Sequence, residues 1–245
     1  QLEVNTVRLD GLRLNLGKNK QGVTNWADIT AQLEAADTPA EKPAEGSDKT
    51  GTASSGKALQ RFEIGSIEVS DAQLHWDDRS TDAVYEINEL SFTTGSIEPG
   101  EAFDLELRFK VAATQPVVRG QFELSGDILL AEAMDAVTIT AATLAVNLDG
   151  EGVPGVHLEA AMSTALKLDL AAQTLSLSGL ALEALGLNVT GQLQGTAISS
   201  DDPRFKGTLD IAEFSPRELL QALGQEAPQT ADPAVLGKAV ASLTW

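Results

Sequence analysis

The chain has 245 residues, and 17 Lys and Arg oppose 36 Asp and Glu, so its formal net charge is −19. It contains no Cys and only 2 His, which excludes a disulfide framework, a cysteine-ligated metal site and a three-histidine metal centre. Nucleic-acid binding needs clustered Lys and Arg to neutralise phosphates, so this acidic composition also argues against a nucleic-acid partner.

Residues 1–37 are predicted to form an N-terminal segment of strand followed by one helix. Asn25 is suited to be the helix N-cap, and Trp26, Ile29 and Leu33 then follow at helical spacing. We expect this helix to run to about Ala35.

A linker of low complexity covers residues 38–58. From Thr38 to Lys57 it is rich in Pro, Gly, Ser, Thr, Ala and charged residues and has no large apolar side chain. Such a segment cannot bury enough apolar surface to offset the entropy lost on ordering. We therefore predict a flexible insert between the N-terminal segment and a β-rich region over residues 59–245.

The β-rich region is dominated by strict alternation of apolar and polar side chains, the pattern of strands with one buried and one solvated face. The apolar positions of the clearest runs are Phe103, Leu105, Leu107, Phe109, Phe122, Leu124, Leu166, Leu168 and Leu170. Sheets with one solvated face are usually antiparallel. The sequence therefore predicts a mainly β fold: a long, twisted, mostly antiparallel, groove-like sheet with about three short α-helices.

Two of these helices are predicted near the C-terminal end. The run Ser215-Pro216-Arg217-Glu218 has the form of a capping box with Pro at the first helical position, which predicts a helix near residues 216–223. Asp232-Pro233 repeats the signal more weakly and predicts a helix near residues 233–238, before a strand from Val240. Because the chain starts and stops inside apparent strands, we expect it to be a fragment of a longer protein.

One apolar pattern, with apolar residues at positions 1, 3, 6 and 8, recurs four times. Its copies begin at Val7, Ile67, Val137 and Leu175. The two-residue spacer shifts the alternation by one, so within a continuous strand the following side chains would turn to the other face unless a bulge absorbs the extra residue. The pattern favours a sheet built of similar hairpins, and the unequal separations exclude a fixed-period solenoid.

No group of residues indicates catalysis. His75 is close in sequence to Asp77 and Asp78, but alternation with Leu74 and Trp76 places it on the solvated face. The chain has no nucleophile elbow, phosphate-binding loop or dinucleotide-binding fingerprint. We therefore expect no enzyme activity, no cofactor and no metal site.

Three segments, in this order, resemble the AsmA family of Gram-negative bacteria. The first comprises Val7–Leu16 and the run Gly22–Ile29, which contains Asn25-Trp26, and the second is Ile67–Asp78. The third begins with Phe214-Ser215-Pro216-Arg217-Glu218 and includes Asp232-Pro233. The linker also fits, since members of this family carry variable inserts before the second segment. The resemblance covers essentially the whole chain.

The resemblance implies a role in outer-membrane biogenesis, in a periplasmic protein tethered to the inner membrane by a transmembrane helix outside this chain. It also implies a relationship to bridge-like lipid transporters, whose repeated sheets form a long groove with an apolar interior. A phospholipid or other membrane lipid is then the expected partner, and the nine alternating apolar residues given above are the candidate lining of the groove. The expected mechanism is passive, because apolar side chains replace water around acyl chains.

Two alternatives remain open. The first is a structural or assembly module that contacts outer-membrane or other envelope proteins by edge-strand pairing. The second is an enzyme acting on cell-wall or lipid substrates, which would need His75 together with Asp77 or Asp78.

Overall fold

The computed structural model describes residues 2–28, 62–232 and 234–245. Its strands are β1 (Leu2–Val4), β2 (Val7–Asp10), β3 (Arg13–Lys18), β4 (Phe62–Ile64), β5 (Ile67–Asp78), β6 (Ala83–Thr94), β7 (Ala102–Thr114), β8 (Val117–Leu130), β9 (Ala136–Asp149), β10 (His157–Asp169), β11 (Thr174–Ala184), β12 (Leu187–Thr196), β13 (Arg204–Phe214) and β14 (Ala239–Thr244). One α-helix, α1 (Pro216–Ala222), lies between the last two strands, and a 3-10 turn (Pro154–Val156) precedes β10.

Strands β5 to β14 form an antiparallel meander in which each strand pairs with the next along the chain. Strands β2 and β3 pair in parallel with β5 at one edge of this sheet, and β1 and β4 form a separate two-stranded parallel sheet. Their register is constant: Leu2 lies beside Phe62, Val7 beside Ile67 and Arg13 beside Gln73. The prediction of a mainly β, mostly antiparallel sheet is confirmed, and the first two copies of the repeated apolar pattern lie side by side in register.

The spacer in each copy of the repeated pattern contains one residue in the left-handed backbone conformation. These residues are Gly11 (φ 65°), Asp71 (φ 49°), Ala141 (φ 52°) and Gly179 (φ 61°). Bulges or register shifts occur at the same places within β5, β9 and β11. The bulge absorbs the extra residue, so the apolar side chains before and after it stay on one face of the sheet.

The prediction of about three helices is wrong for the described residues, where α1 is the only α-helix with assigned bounds. This helix matches the predicted capping box, because the Ser215 hydroxyl accepts a hydrogen bond from the Glu218 backbone N–H at 3.2 Å. Residues 234–237 form turns instead of the predicted helix near 233–238. The side chain of Asp232 accepts a hydrogen bond from the Ala234 N–H. The backbone bonds here join residues three apart, from the Val235 N–H to the Asp232 carbonyl and from the Gly237 N–H to the Ala234 carbonyl, which is the pattern of turns.

The predicted N-terminal helix and the linker fall largely outside the described residues. Ala27 and Asp28 are helical, and residues 29–61, which include the predicted linker at 38–58, are not described. None of the helices in the described ranges is long and apolar enough to cross a membrane.

The sheet has very little conventional core. Within the described residues the buried apolar side chains are Ala72, Ala83, Phe103, Val153 and Val189, and no side chain is completely buried. A sheet that packs against a second layer buries the apolar residues of its inner face. Here those residues are mostly half-buried, so the described part of the chain is essentially a single layer.

Candidate functional site

One face of the sheet carries an unbroken row of apolar side chains across eleven strands. Directly opposed neighbours face the same side of a sheet, so the row can be followed from pair to pair. It runs through Leu9, Val69, Phe92, Leu107, Leu124, Leu144, Met162, Leu182, Val189, Ile211 and Ala241. We call the side of the sheet that bears this row the apolar face.

The row is long compared with a lipid tail. Neighbouring strands lie about 4.8 Å apart, so the ten spacings between its strands give roughly 48 Å. One leaflet contributes about half of the roughly 30 Å hydrocarbon core of a bilayer, or about 15 Å per acyl chain. The row could therefore hold about three extended acyl chains end to end.

Eight of the nine candidate lining residues lie on the apolar face within strands. Phe103 lies opposite Ile128, and Leu105 lies opposite Gly126. The rings of Phe109 and Phe122 stack with centroids 5.0 Å apart. Leu107 and Leu124 belong to the row, whereas Leu166 and Leu168 lie on β10 opposite Ile139 and Val137 of β9.

The ninth candidate residue is placed differently. Leu170 follows the end of β10, where its N–H donates to the Asp135 carbonyl oxygen, and the residue is 54% exposed. By contrast Phe103 is 8% exposed, so the nine residues do not form one uniform surface. The structure brings eight of them to one face, and their contact with a lipid stays a prediction.

Large side chains of neighbouring strands pack over glycines on the apolar face. A Cβ built on Gly207 would lie 2.7 Å from Cζ2 of Trp245, and one built on Gly191 would lie 3.2 Å from Cδ1 of Leu209. The glycines therefore leave space that their cross-strand neighbours fill. This packing covers the backbone between strands and keeps the apolar face continuous.

An aromatic cluster lies at the end of the apolar face next to the N-terminal strands. Trp76 makes edge contacts with Trp26 and Tyr85, with ring centroids 6.1 and 6.5 Å apart. The side-chain amide of Asn25 is hydrogen-bonded to β3 in this region: its Oδ1 accepts from the Gly17 N–H, and its Nδ2 donates to the Asn15 carbonyl oxygen. Asn25 thus holds its segment against β3, and Trp26 packs against Trp76 at the end of the sheet.

A buried carboxylate marks where the apolar face ends. Asp78 lies 3.3 Å from the Lys18 ammonium and accepts hydrogen bonds from the hydroxyl and the backbone N–H of Ser80. The hydrogen bond from the Ser80 hydroxyl is the main cause that holds the pKa of Asp78 below its usual range. The Ser80 N–H and Lys18 also lower this pKa, whereas burial raises it. The carboxylate is therefore held in its charged form at the rim.

The opposite side of the sheet is polar and concave in its central part. One concavity of about 870 Å³ is lined by Asn88, Lys110, Arg119, Gln121, Asn147 and Glu159, among others. A second, of about 420 Å³, includes Glu106, Arg108, Glu123 and Glu183. Leu124 is the one candidate lining residue that borders it. Most of the residues around these two concavities are polar, so both lie on the polar side of the sheet.

The histidines do not form a catalytic group with the aspartates that the enzyme alternative needs. His75 Nδ1 lies 3.2 Å from Glu86 Oε1, while Asp77 pairs with Arg79. His157 Nδ1 lies 2.7 Å from Asp149 Oδ1 on an exposed part of the sheet. The described residues contain no group of three or more His, Asp or Glu side chains that could hold a metal ion.

The row across eleven strands is the most regular feature of the site and was not predicted. Alternation within a single strand shows which side chains share a face, but it does not align one strand with the next. The repeated pattern is the sequence signal that indicates how the strands align, because its spacers lie where the strands are bulged.

The model of the AsmA family matches residues 1–202 of the chain. No curated protein and no solved structure matches the chain. The matched part contains β1 to β12, and with them most of the apolar row and all nine candidate residues. The chain therefore belongs to the AsmA family.

Proposed function

We propose that this chain binds phospholipid acyl chains along its apolar face and lets them move across the strands, as a non-catalytic part of an envelope protein. The observation that carries this proposal is the apolar row, which crosses eleven strands without a polar side chain. A continuous, half-exposed apolar surface of this extent is typical of sites that contact other apolar molecules. Membership of the AsmA family supports a role in envelope biogenesis.

The expected strength of binding suits a surface along which lipids move. Complete burial stabilises a methylene group by about 0.8 kcal/mol, and an open face covers roughly half of it. A chain of about ten methylenes then gains about 4 kcal/mol, and two chains gain about 8 kcal/mol, before the unfavourable entropy of association is subtracted. The net binding free energy is therefore small, and a bound lipid exchanges readily.

The location follows from the same proposal. Because the AsmA family belongs to the Gram-negative envelope, a chain that carries acyl chains between its two membranes would work in the aqueous space between them. We therefore place this chain in the periplasm and its membrane anchor elsewhere in the protein. Headgroups remain in water at the rim of the apolar face, next to charged residues such as Lys18 and Asp78.

Native mass spectrometry of the chain, purified without detergent and incubated with vesicles of phosphatidylethanolamine and phosphatidylglycerol, tests the proposal. We expect adducts of phospholipid mass on the wild-type chain. The double variant Leu107→Asp/Leu168→Asp should lose them, because a carboxylate on the apolar face must be desolvated when an acyl chain covers it.

The double variant Gln121→Asp/Ser163→Asp is the matched control. It adds the same charge to β8 and β10 of the same sheet, but on the polar side. We therefore expect it to keep the phospholipid adducts. Far-UV circular dichroism of both variants checks that the sheet is intact. A wild-type chain that takes up no phospholipid, or equal loss of adducts in both variants, would contradict the proposal.

A further inference from the structure

The connections between strands lie alternately at two opposite rims of the apolar face, because each strand of the meander runs antiparallel to the next. One rim contains residues 95–101, 131–135, 170–173 and 197–203. The other rim contains residues 79–82, 115–116, 150–156, 185–186, 215–232 and 234–238, together with residues 19–28 that follow β3. Every second connection of the meander therefore belongs to the same rim.

The two rims differ in charge. The first has no Lys or Arg in its connections and has six carboxylates: Glu98, Glu101, Glu132, Asp135, Asp201 and Asp202. Among the described residues only Asp202 of this set pairs with a cation, Arg204 of β13, at 3.8 Å. The second rim has six carboxylates and four cations, which are Lys20, Arg79, Arg217 and Lys238. The formal charges are therefore −6 and −2, and we call the first the acidic rim and the second the mixed rim.

The apolar side chains do not decide at which rim the headgroup of a bound lipid lies. Leu107 of the apolar row is about 17 Å along β7 from Ala102 at the acidic rim and about 23 Å from Thr114 at the mixed rim. An acyl chain about 15 Å long therefore covers apolar side chains of β7 from either rim. Apolar contact alone allows both orientations of the lipid.

The cations at the mixed rim keep hydrogen-bond donors for a phosphate. The Lys18 ammonium, at the end of β3 next to this rim, donates to Asp78 at 3.3 Å, and its side chain is 32% exposed. An ammonium has three donors, so two remain. Arg79 donates from Nε to Asp77, and its side chain is 69% exposed. A guanidinium has four further N–H groups.

Aromatic side chains also distinguish the mixed rim. Three of the four Trp and Tyr residues of the chain, Trp26, Trp76 and Tyr85, form the aromatic cluster there, and the fourth, Trp245, follows β14 at the acidic rim. Trp and Tyr prefer the level of lipid headgroups, where apolar and aqueous surroundings meet. The Trp76 indole N–H is buried without an acceptor among the described residues, and a phosphate or ester oxygen would supply one.

We propose that a phospholipid with an anionic headgroup binds in one orientation, with its phosphate at the mixed rim near Lys18 and Arg79 and its acyl chains directed along the strands toward the acidic rim. The carboxylates of the acidic rim repel a phosphate there. A lipid that moves across the strands keeps this orientation, because the same rim continues from one hairpin to the next. The inference rests on the lipid binding proposed above and adds the headgroup class and the orientation.

Nitroxide quenching of single fluorophores tests the orientation. The chain has no Cys, so one thiol can be labelled at the mixed rim (Thr81→Cys), at the acidic rim (Ala133→Cys) or in the apolar row (Met162→Cys). The headgroup probe is phosphatidylethanolamine with a nitroxide joined to its amine by an amide bond, which leaves a net anionic headgroup. We expect this probe to quench the label of Thr81→Cys at least about threefold more strongly than that of Ala133→Cys. The tail probe, phosphatidylglycerol with a nitroxide on one acyl chain, should quench the label of Met162→Cys.

Charge reversal at the acidic rim tests the cause of the orientation. Adding Glu98→Lys/Glu132→Lys raises the formal charge of the acidic rim from −6 to −2, the value of the mixed rim, so the ratio of headgroup quenching at the two labels should fall toward one. The matched control Glu106→Lys/Glu159→Lys changes the net charge equally on the polar side of the sheet. This control should keep the ratio of the parent chain.

The outcomes separate the orientation from lipid binding itself. Equal headgroup quenching at the two rims, or stronger quenching at the acidic rim, would overturn the inferred orientation if the tail probe still quenches the label in the apolar row. An equal fall of the ratio in the control would also overturn it, because the net charge and not the rim would then orient the lipid. If the tail probe does not quench the label of Met162→Cys, the proposed lipid binding fails, and the orientation fails with it.

Discussion

The left-handed residues in the bulges predict that Gly is more stable than Ala at these positions, the reverse of the preference at an ordinary strand position. Gly179 has φ 61° and no atom lies within 4 Å of a Cβ built on it, so Gly179→Ala introduces backbone strain without a steric clash. Ala141 has φ 52° and already bears this strain. We therefore expect Gly179→Ala to destabilise the protein and Ala141→Gly to stabilise it.

The magnitude follows from two opposing contributions. A left-handed conformation costs an L-residue about 1–2 kcal/mol. Ala restricts the unfolded chain more than Gly, which favours the folded state by about 0.4–1 kcal/mol. The net effect is about 1 kcal/mol at each site, with opposite signs, and for a chain of this size 1 kcal/mol shifts Tm by about 2–4 °C.

Thermal unfolding followed by circular dichroism measures these shifts, and Ala145→Gly is the matched control. Ala145 lies on β9 like Ala141 but does not have a positive φ, so its replacement by Gly should destabilise the strand by about 0.5–1 kcal/mol. A fall in Tm for Ala141→Gly as large as that for Ala145→Gly would refute the reasoning, because Ala141 would then not be strained.

Two further predictions concern the bulge of β9 and the charged rim. Deleting Ala141 removes the extra residue of the bulge and keeps all apolar side chains of β9 on the apolar face. Deleting Ala145 instead turns Val146 and Leu148 to the polar side. Only the first variant should therefore retain a cooperative unfolding transition in urea. The pKa of Asp78 is lowered in the folded state, so its stabilising effect is complete above the ordinary carboxyl pKa and is lost as the pH falls through the lowered value. The difference in Tm between the wild type and Asp78→Asn should therefore be full at neutral pH and shrink on acidification below about pH 4; a pH-independent difference would count against this account.

Much of the fold can be predicted from the sequence because single strands and helix caps are encoded locally. Alternation along Phe103 to Val111 indicates a strand with one apolar face, and Ser215 with Glu218 indicates the start of α1. Both features depend on residues within a few positions of each other, which is why the structure agrees with them.

The register between strands could not be predicted, because it depends on residues far apart in sequence. The alignment of Leu107 with Leu124 follows from a tight turn, but that of Leu9 with Val69 crosses 60 positions. A fifth copy of the repeated pattern also went unnoticed: Tyr85, Ile87, Leu90 and Phe92 have the same spacing, and Glu89 in its spacer has φ 52°. The aromatic and charged residues within that copy hide a pattern that is plainer in the Leu- and Val-rich ones.

The candidate site was predicted in part for the same reason. Alternation places eight of the nine residues on one face, but it extends the last run to Leu170, where β10 has already ended. The concave polar side could not be predicted, because curvature of a sheet arises from twist and bulges that act over many strands together.

The parallel pairing of the N-terminal strands with β5 has a consequence for the order of folding. From β5 to β13 each strand meets the next through a short connection, whereas Val7 must find Ile67 across 60 positions. The entropy of closing such a loop is about 2 kcal/mol more unfavourable than for a loop of about five residues. The meander should therefore form first and β2 and β3 should dock last, and in hydrogen exchange from the native state they should open before the central strands.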